Sequence, residues 1–293
     1  MKKGFLILLI FLCCFGVTAC REGEEVTGVS VVTSNFPLYD FVRAIGGEQV
    51  NVTMLIKPGS ESHSYEPTPK EIIAIEQADL FLYIGGESEA WVESLSRTDA
   101  IPLLDVVETK EEHEGHDHGA DEHIWTSPKN AMKMAEAICE ELSRVDPQHQ
   151  EMYQQNLDHF LEELTRLDER FFQIVQKGTR KKVVFGDRFP FLYFAERYGL
   201  SYLAAFPGCA SQAEPSAGTM AELIDTVKKE EIPVVFYLEL SNQSIAKSIS
   251  EATGAEMRLF HSCHNVSRQE FEEGETYLSL MNQNAEQLEE ALH

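Results

Sequence analysis

The sequence predicts an α/β fold of two similar parallel-sheet lobes joined by one long helix. Two observations carry that expectation, and a third says where such a molecule would do its work. Short β-branched runs alternate with helical periods in both halves of the 293-residue chain, which is the rhythm of layered parallel sheets. Between the halves, from residue 147 to residue 177, apolar side chains recur at three- and four-residue spacing without a break. Side chains able to ligate a metal recur where strands end, and that is where parallel sheets take their ligands.

The chain opens with a targeting pattern over residues 1–19. Lys2-Lys3 is a charged start, Phe5 to Val17 is apolar, and Val17-Thr18-Ala19-Cys20 is a processing site. The apolar run is too short for a comfortable membrane span. A small residue directly before Cys resembles a bacterial lipobox. That resemblance implies cleavage before Cys20, acylation of its thiol and a lipid tether to the cell membrane on its extracytoplasmic side. Residues 20–27 then read as a polar tether.

Residues 28–146 read as the N-terminal lobe. Val29 to Thr33 is a buried strand ending at Ser34-Asn35, and a helix starts at Pro37. Val52 to Ile56 is the second strand, stopped by Lys57-Pro58-Gly59. The following loop contains His63 and closes on Thr68-Pro69, an N-cap and a first helical position. Leu80 to Ile84 is the third strand, Gly85-Gly86 breaks it, a helix passes through Trp91 and Leu95, and Ile101 to Leu104 is a short fourth strand. A loop over 111–123 follows, dense in imidazole and carboxylate. Four of the chain's ten histidines (His113, His116, His118 and His123) fall within it. The first three lie among Gly and charges, as in a metal-collecting loop. His123 abuts Ile124-Trp125 and the helix start Thr126-Ser127-Pro128, as a ligand at the edge of a core would.

Residues 147–177 predict a helix of about 46 Å, long enough to cross a domain. Tyr153, Leu157, Phe160, Leu164, Leu167 and Phe171 make its apolar stripe, Gly178 stops it, and His149 and His159 fall on its polar side. Residues 178–293 then repeat the α/β rhythm as a C-terminal lobe. Strands are expected at 183–185, 202–205, 234–238 and 257–260, with helices near 190–197, 215–230, 243–252 and 275–291. Glu214-Pro215-Ser216 echoes Glu66-Pro67-Thr68 of the first half.

Composition narrows the function classes. With 43% apolar and 25% charged residues the chain is globular, and its formal charge of −25 excludes nucleic acid as a partner. Cys13 and Cys14 fall in the targeting segment, and Cys139 sits in a helical pattern as a small hydrophobe. In an oxidising compartment Cys209 and Cys263 are expected to pair, which would add about 4 kcal/mol in the chain-entropy picture. The competing reading makes Cys263, between His261 and His264, a soft metal ligand.

Candidate ligands stand at strand or loop ends throughout: His63, His123, Asp187 after Val183-Val184-Phe185-Gly186, and His261 after Leu259-Phe260. If the lobes face one another, these loops converge on the cleft between them. Three imidazoles and one carboxylate suit Zn²⁺, whereas Mn²⁺ prefers oxygen ligands. Glu239, ending another strand, and His264 are the reserves.

From residue 29 to 291 the chain resembles the metal-binding receptors of bacterial zinc and manganese ABC importers. The resemblance rests on His63-Ser64-Tyr65-Glu66-Pro67-Thr68-Pro69, on the histidine-rich loop closing in Asp121-Glu122-His123-Ile124-Trp125, on Glu214-Pro215-Ser216 and on Thr253-Gly254-Ala255. It implies two α/β lobes on a long helix, His63 and His123 as metal ligands, and an ABC permease as partner. The long histidine-rich loop is similar to that of zinc-selective members. Two positions depart from the pattern. Asp187 stands where the family has His or Glu, with Arg188 beside it as an ion-pair alternative, and His261 stands where the family has Asp. The exchange keeps three imidazoles and a carboxylate. The function expected is a lipid-anchored, monomeric receptor that captures Zn²⁺ for a permease. The alternatives are a zinc buffer or adhesin without a transporter, and a zinc hydrolase, for which the chain lacks a His-Glu-x-x-His helix and a Gly-x-Ser-x-Gly elbow.

Overall fold

The computed structural model describes residues 28–60, 65–110, 119–206 and 214–293. The targeting segment and tether expected over 1–27, Cys20 included, lie outside the described residues, as do His63, His113, His116, His118 and Cys209. The N-terminal lobe runs β1 (Val29–Thr33), α1 (Phe36–Gly46), β2 (Val50–Met54), α2 (Pro69–Gln77), β3 (Leu80–Tyr83), β4 (Ile101–Pro102) and α3 (Pro128–Val145). The long helix α4 is Gln150–Lys177. The C-terminal lobe runs β5 (Lys182–Phe185), α5 (Leu192–Tyr198), β6 (Ser201–Ala204), α6 (Ala217–Lys229), β7 (Val234–Tyr237), α7 (Ser244–Thr253), β8 (Glu256–Leu259), α8 (Arg268–Glu273) and α9 (Tyr277–Leu292). No helix among the described residues is long and apolar enough to cross a membrane.

Each lobe holds a four-stranded, all-parallel sheet. The orders are β2-β1-β3-β4 and β6-β5-β7-β8, the same topology twice. The order reverses beside β1 and beside β5, so a crevice opens at the carboxyl ends of those strands. The helix starts follow the chemistry read from the sequence. Asn35 accepts the Leu38 N–H at the start of α1, and Thr68 and Glu71 form a capping box on α2 with Pro69 at its first position.

Three segments depart from expectation, each for a local reason. The helix expected through Trp91 and Leu95 is a 3-10 segment, Glu87–Ser94. It starts from Gly85 and Gly86, both at positive φ, and Glu89 turns its carboxylate back to accept the Gly85 N–H at 2.7 Å. The fourth strand ends at Pro102, which has no N–H to continue a ladder, and Leu103–Val106 winds into a 3-10 turn. Helix α4 begins three residues late because Pro147–His149 forms its own 3-10 turn, held by Asp146, which pairs with His149 Nδ1 at 2.6 Å and accepts the Tyr153 hydroxyl at 2.7 Å.

One continuous apolar core runs through both lobes. Helix α4 lies against α3 on one side and α9 on the other, and its stripe of Tyr153, Phe160, Leu164 and Phe171 is buried. Phe41 of α1 meets Phe160 edge-on at 5.2 Å and Tyr277 of α9 at 5.0 Å. Burying each such ring is worth about 2–3 kcal/mol. The C-terminal helix is therefore a second strut: it belongs to the second lobe by sequence, yet its first turn is anchored in the first. The Tyr277 N–H donates to the buried Asp40 carboxylate at 2.8 Å, and the Tyr277 hydroxyl donates to the Trp125 carbonyl at 2.7 Å.

Burial raises the Asp40 pKa to about 6 against the lowering effect of the Tyr277 N–H and Arg43. A carboxyl whose pKa is higher folded than unfolded binds its proton more tightly in the native state. Its contribution therefore declines as pH rises from about 4 to about 6. Asp40→Asn is expected to remove that slope, so the stability of the variant relative to the parent should rise by about 2–3 kcal/mol across this window. Urea unfolding at pH 4, 5, 6 and 7 checks it; a difference that stays constant with pH refutes it.

Candidate metal centre

His123 is set by the residues just before it. The Asp121 N–H donates to the Lys110 carbonyl at 2.8 Å, so the two residues flanking the histidine-rich segment are bridged. The Asp121 carboxylate then turns to His123 and accepts from its backbone N–H at 2.8 Å and from its ring Nδ1 at 3.0 Å. Both residues are buried. A carboxylate on Nδ1 fixes the tautomer that leaves the lone pair on Nε2, the arrangement found behind metal-binding imidazoles. The signal for this lies in the sequence as Asp-x-His, which by itself reads only as the close of the histidine-rich loop.

His264, a reserve in the sequence reading, stands against His123. The two imidazoles are 5.4 Å apart, centroid to centroid, at 82°. Trp125 closes the group, 5.4 Å from His123 and 5.0 Å from His264. The indole N–H of Trp125 crosses between lobes to the Ser262 carbonyl at 2.8 Å, and the Phe36 N–H reaches the His264 carbonyl at 3.4 Å. An imidazole from each lobe is thus brought to one place.

His261 is placed differently. It is buried, its backbone N–H and carbonyl both gripped by the Asn284 amide at 2.7 Å. Its Nδ1 accepts the Cys263 N–H at 2.9 Å and lies 3.7 Å from Glu239, while Nε2 faces Glu270 at 3.5 Å. The last distance is an ion-pair contact, too long for a good hydrogen bond. Burial disfavours the imidazolium, but the carboxylates of Glu239, Glu270 and Glu275 outweigh it and raise the His261 pKa. Reciprocally, the His261 ring and the Ser267 hydroxyl and N–H hold Glu270 at about 2, against the effect of its own burial.

Glu239 props the same loop from beneath, accepting the Ser262 N–H at 2.8 Å and the Ser262 hydroxyl. Asp187, leaving β5, accepts the Arg188 N–H at 2.9 Å and the Leu238 N–H at 3.2 Å, tying the exit of β5 to that of β7. Cys263 is a buried thiol at φ +60°, and burial pushes its pKa up. Its expected pairing with Cys209 lies outside the described residues. Among the described residues, His, Cys, Asp and Glu side chains do not gather in threes close enough to hold an ion. What they do form is a pair of imidazoles, one from each lobe, in which Asp121 sets the tautomer of His123.

The stem of the histidine-rich loop is acidic and buried. The Glu122 carboxylate accepts the Ser88 N–H at 2.8 Å and its hydroxyl, and burial raises its pKa. Burial likewise lifts nearby Glu89 to about 7.

Paired parallel-sheet lobes of the same topology on a long helical axis, with an imidazole from each lobe brought face to face, have the form of a two-lobed receptor. Comparison with known proteins says which. The chain belongs to the ZnuA family, zinc-uptake complex component A, periplasmic, whose description matches residues 31–291. It is 32% identical over 99% of its length to the zinc-binding lipoprotein AdcA of Streptococcus pneumoniae, and spans 61% of that longer protein. It is 29% identical to the high-affinity zinc uptake system protein ZnuA of Bacillus subtilis, covering 100% of this chain and 99% of that one. The crystal structure of the Zn(II)-bound ZnuA-like domain of S. pneumoniae AdcA superposes with a TM-score of 0.77 at 30% identity, over 90% of this chain and 99% of that domain.

Proposed function

We propose that this chain captures Zn²⁺ outside the cytoplasmic membrane and delivers it to an ABC permease. One observation carries the reading: His123, with its tautomer set by Asp121, faces His264 of the opposite lobe at 5.4 Å. His63, which follows β2 in sequence, is the third imidazole of this proposal, and Asp187 at the exit of β5 is the carboxylate. Ligating carboxylates commonly keep hydrogen bonds of the kind Asp187 makes. In this reading His264 stands in the ligand set in place of His261, whose Nδ1 accepts the Cys263 N–H within its own lobe. Glu239 supports the loop. Imidazole ligands favour Zn²⁺ over Mn²⁺. His113, His116 and His118 would collect the cation, drawn by a formal charge of −25, and Cys20 would carry the lipid that keeps the receptor beside its permease.

Trp125 supplies the test, since it touches both imidazoles and is one of only two tryptophans. Titrating the chain from Arg21 onward with Zn²⁺ is expected to change its indole fluorescence with one tight equivalent, while Mn²⁺ at the same concentrations produces a smaller change. The change should vanish in His123→Ala and persist in a Trp91→Phe variant. Tight zinc binding with an unaltered Trp125 signal would place the metal elsewhere.

A further inference from the structure

We propose that the C-terminal lobe positions both metal-bearing loops of the N-terminal lobe by their stems, with Asn265 and Tyr193 as the positioning residues. This rests on the zinc reading above and adds what sets the geometry of its ligands. Asn265 is buried, immediately after His264. Its Nδ2 reaches across the lobes and donates to the Lys57 carbonyl at 2.8 Å and the Ser60 carbonyl at 2.9 Å. Its Oδ1 accepts the Val266 N–H at 2.9 Å, so the orientation of the amide is fixed and both its amide protons are spent on the other lobe. The Gly59 N–H adds a backbone bond to the Val266 carbonyl at 2.7 Å. Lys57 to Ser60 is the turn that follows β2, and His63 comes shortly after it in the sequence.

Tyr193 does the equivalent work on the other loop. It lies on α5 in the C-terminal lobe, and its hydroxyl donates to the Asp121 carbonyl at 2.7 Å while accepting the Lys110 N–H at 3.2 Å. Those are the two residues bridged at the stem of the histidine-rich loop. The Lys110 ammonium also pairs with Glu196, one turn along the same helix, at 2.6 Å. Asp121 in turn holds His123, so the chain of contact runs from Tyr193 through Asp121 to a ligand of the proposed site.

Loop carbonyls drawn into a part-buried contact need donors, and those donors could have come from water or from the same lobe. Here they come from side chains of the opposite lobe, at both loops. The consequence is that the stems of both loops keep these positions only while the lobes are apposed. Removing a clasp lowers the fraction of molecules whose ligands are in place, and apparent affinity falls by that same fraction.

The test uses the chain from Arg21 onward, which retains every described residue, with Asn265→Asp and Tyr193→Phe. The first keeps the shape but turns a donor into a carboxylate facing two carbonyls; the second removes only the hydroxyl. Each is followed by competitive Zn²⁺ titration, by the visible spectrum of the Co²⁺-substituted protein and by thermal unfolding. We expect zinc affinity to fall about tenfold or more in each, with faster release, while the Co²⁺ bands at saturation keep the parent's positions because the ligands are unchanged. His123→Ala and His264→Ala should instead move the bands. Parent-like affinity in both clasp variants, even with lower melting temperatures, would reduce the clasps to ordinary packing and overturn the inference. Shifted Co²⁺ bands in the clasp variants would overturn it as well. Should His123→Ala and His264→Ala bind zinc as the parent does, the zinc reading itself fails, and that result is visible before either clasp variant is scored.

Discussion

Replacing His264 with Ala is expected to weaken zinc binding by at least about a hundredfold, whereas His261→Gln should leave it within about threefold of the parent. The two residues are three positions apart on one loop, and only their surroundings separate them. His264 faces His123 across the lobes, while His261 is turned into its own lobe, where its Nδ1 accepts the Cys263 N–H and its Nε2 stands 3.5 Å from Glu270. A zinc ion bound by three imidazoles that loses one must recruit water or rearrange. His261→Gln keeps a polar side chain for the Cys263 N–H and should register mainly as a lower melting temperature. Asp121→Ala should fall between the two, about 10- to 100-fold weaker, because it frees the tautomer and orientation of His123 without removing a ligand. Competitive titration of the three variants ranks them directly. If His261→Gln costs as much as His264→Ala, His261 returns to the ligand set and His264 becomes its support.

That ranking also marks where the sequence was readable. The strands and helices of both lobes were legible because burial imposes a period: Val29–Thr33 is the same strand by either route, and the stripe from Tyr153 to Phe171 is the buried face of α4. The place of His123 was legible because it stands between a charged loop and an apolar pair. The choice between His261 and His264 was not. Both lie a few residues beyond β8, and the chain's direction there depends on Cys263 at positive φ, on the Glu239 carboxylate beneath Ser262 and on Asn284 from α9. Each of those is a tertiary contact without a local signature. The same holds for Asn265 and Tyr193, which look like an ordinary loop amide and an ordinary helix aromatic until the other lobe is set against them. The helix expected after Gly85-Gly86 failed for a related reason: Glu89 found a backbone partner four residues back, and the period alone could not show it.

Gly186→Ala is expected to be the most destabilising small substitution at the cleft, costing about 3 kcal/mol or more. Gly186 ends β5, with its N–H on the Phe236 carbonyl at 2.9 Å, and the chain then turns to present Asp187. A methyl group there would meet the backbone of α7, 2.4 Å from the Ala246 Cα and 2.6 Å from its nitrogen. No rotamer change relieves a contact with backbone, so either β5 or α7 must move. Gly199 supplies the control. It caps α5 at φ +67° with nothing within 4 Å of an added methyl, so Gly199→Ala meets only the left-handed conformational cost of about 1 kcal/mol. Urea unfolding of both variants therefore separates steric from conformational cost, and equal losses would refute the close approach of α7 to β5. The functional consequence follows from the same geometry. Asp187 joins the exits of β5 and β7 through Arg188 and Leu238, so displacing Gly186 displaces the proposed carboxylate ligand while leaving His123 and His264 in place. Zinc added to saturation should then recover less stability in Gly186→Ala than in Gly199→Ala, because linkage returns only what the intact site can bind.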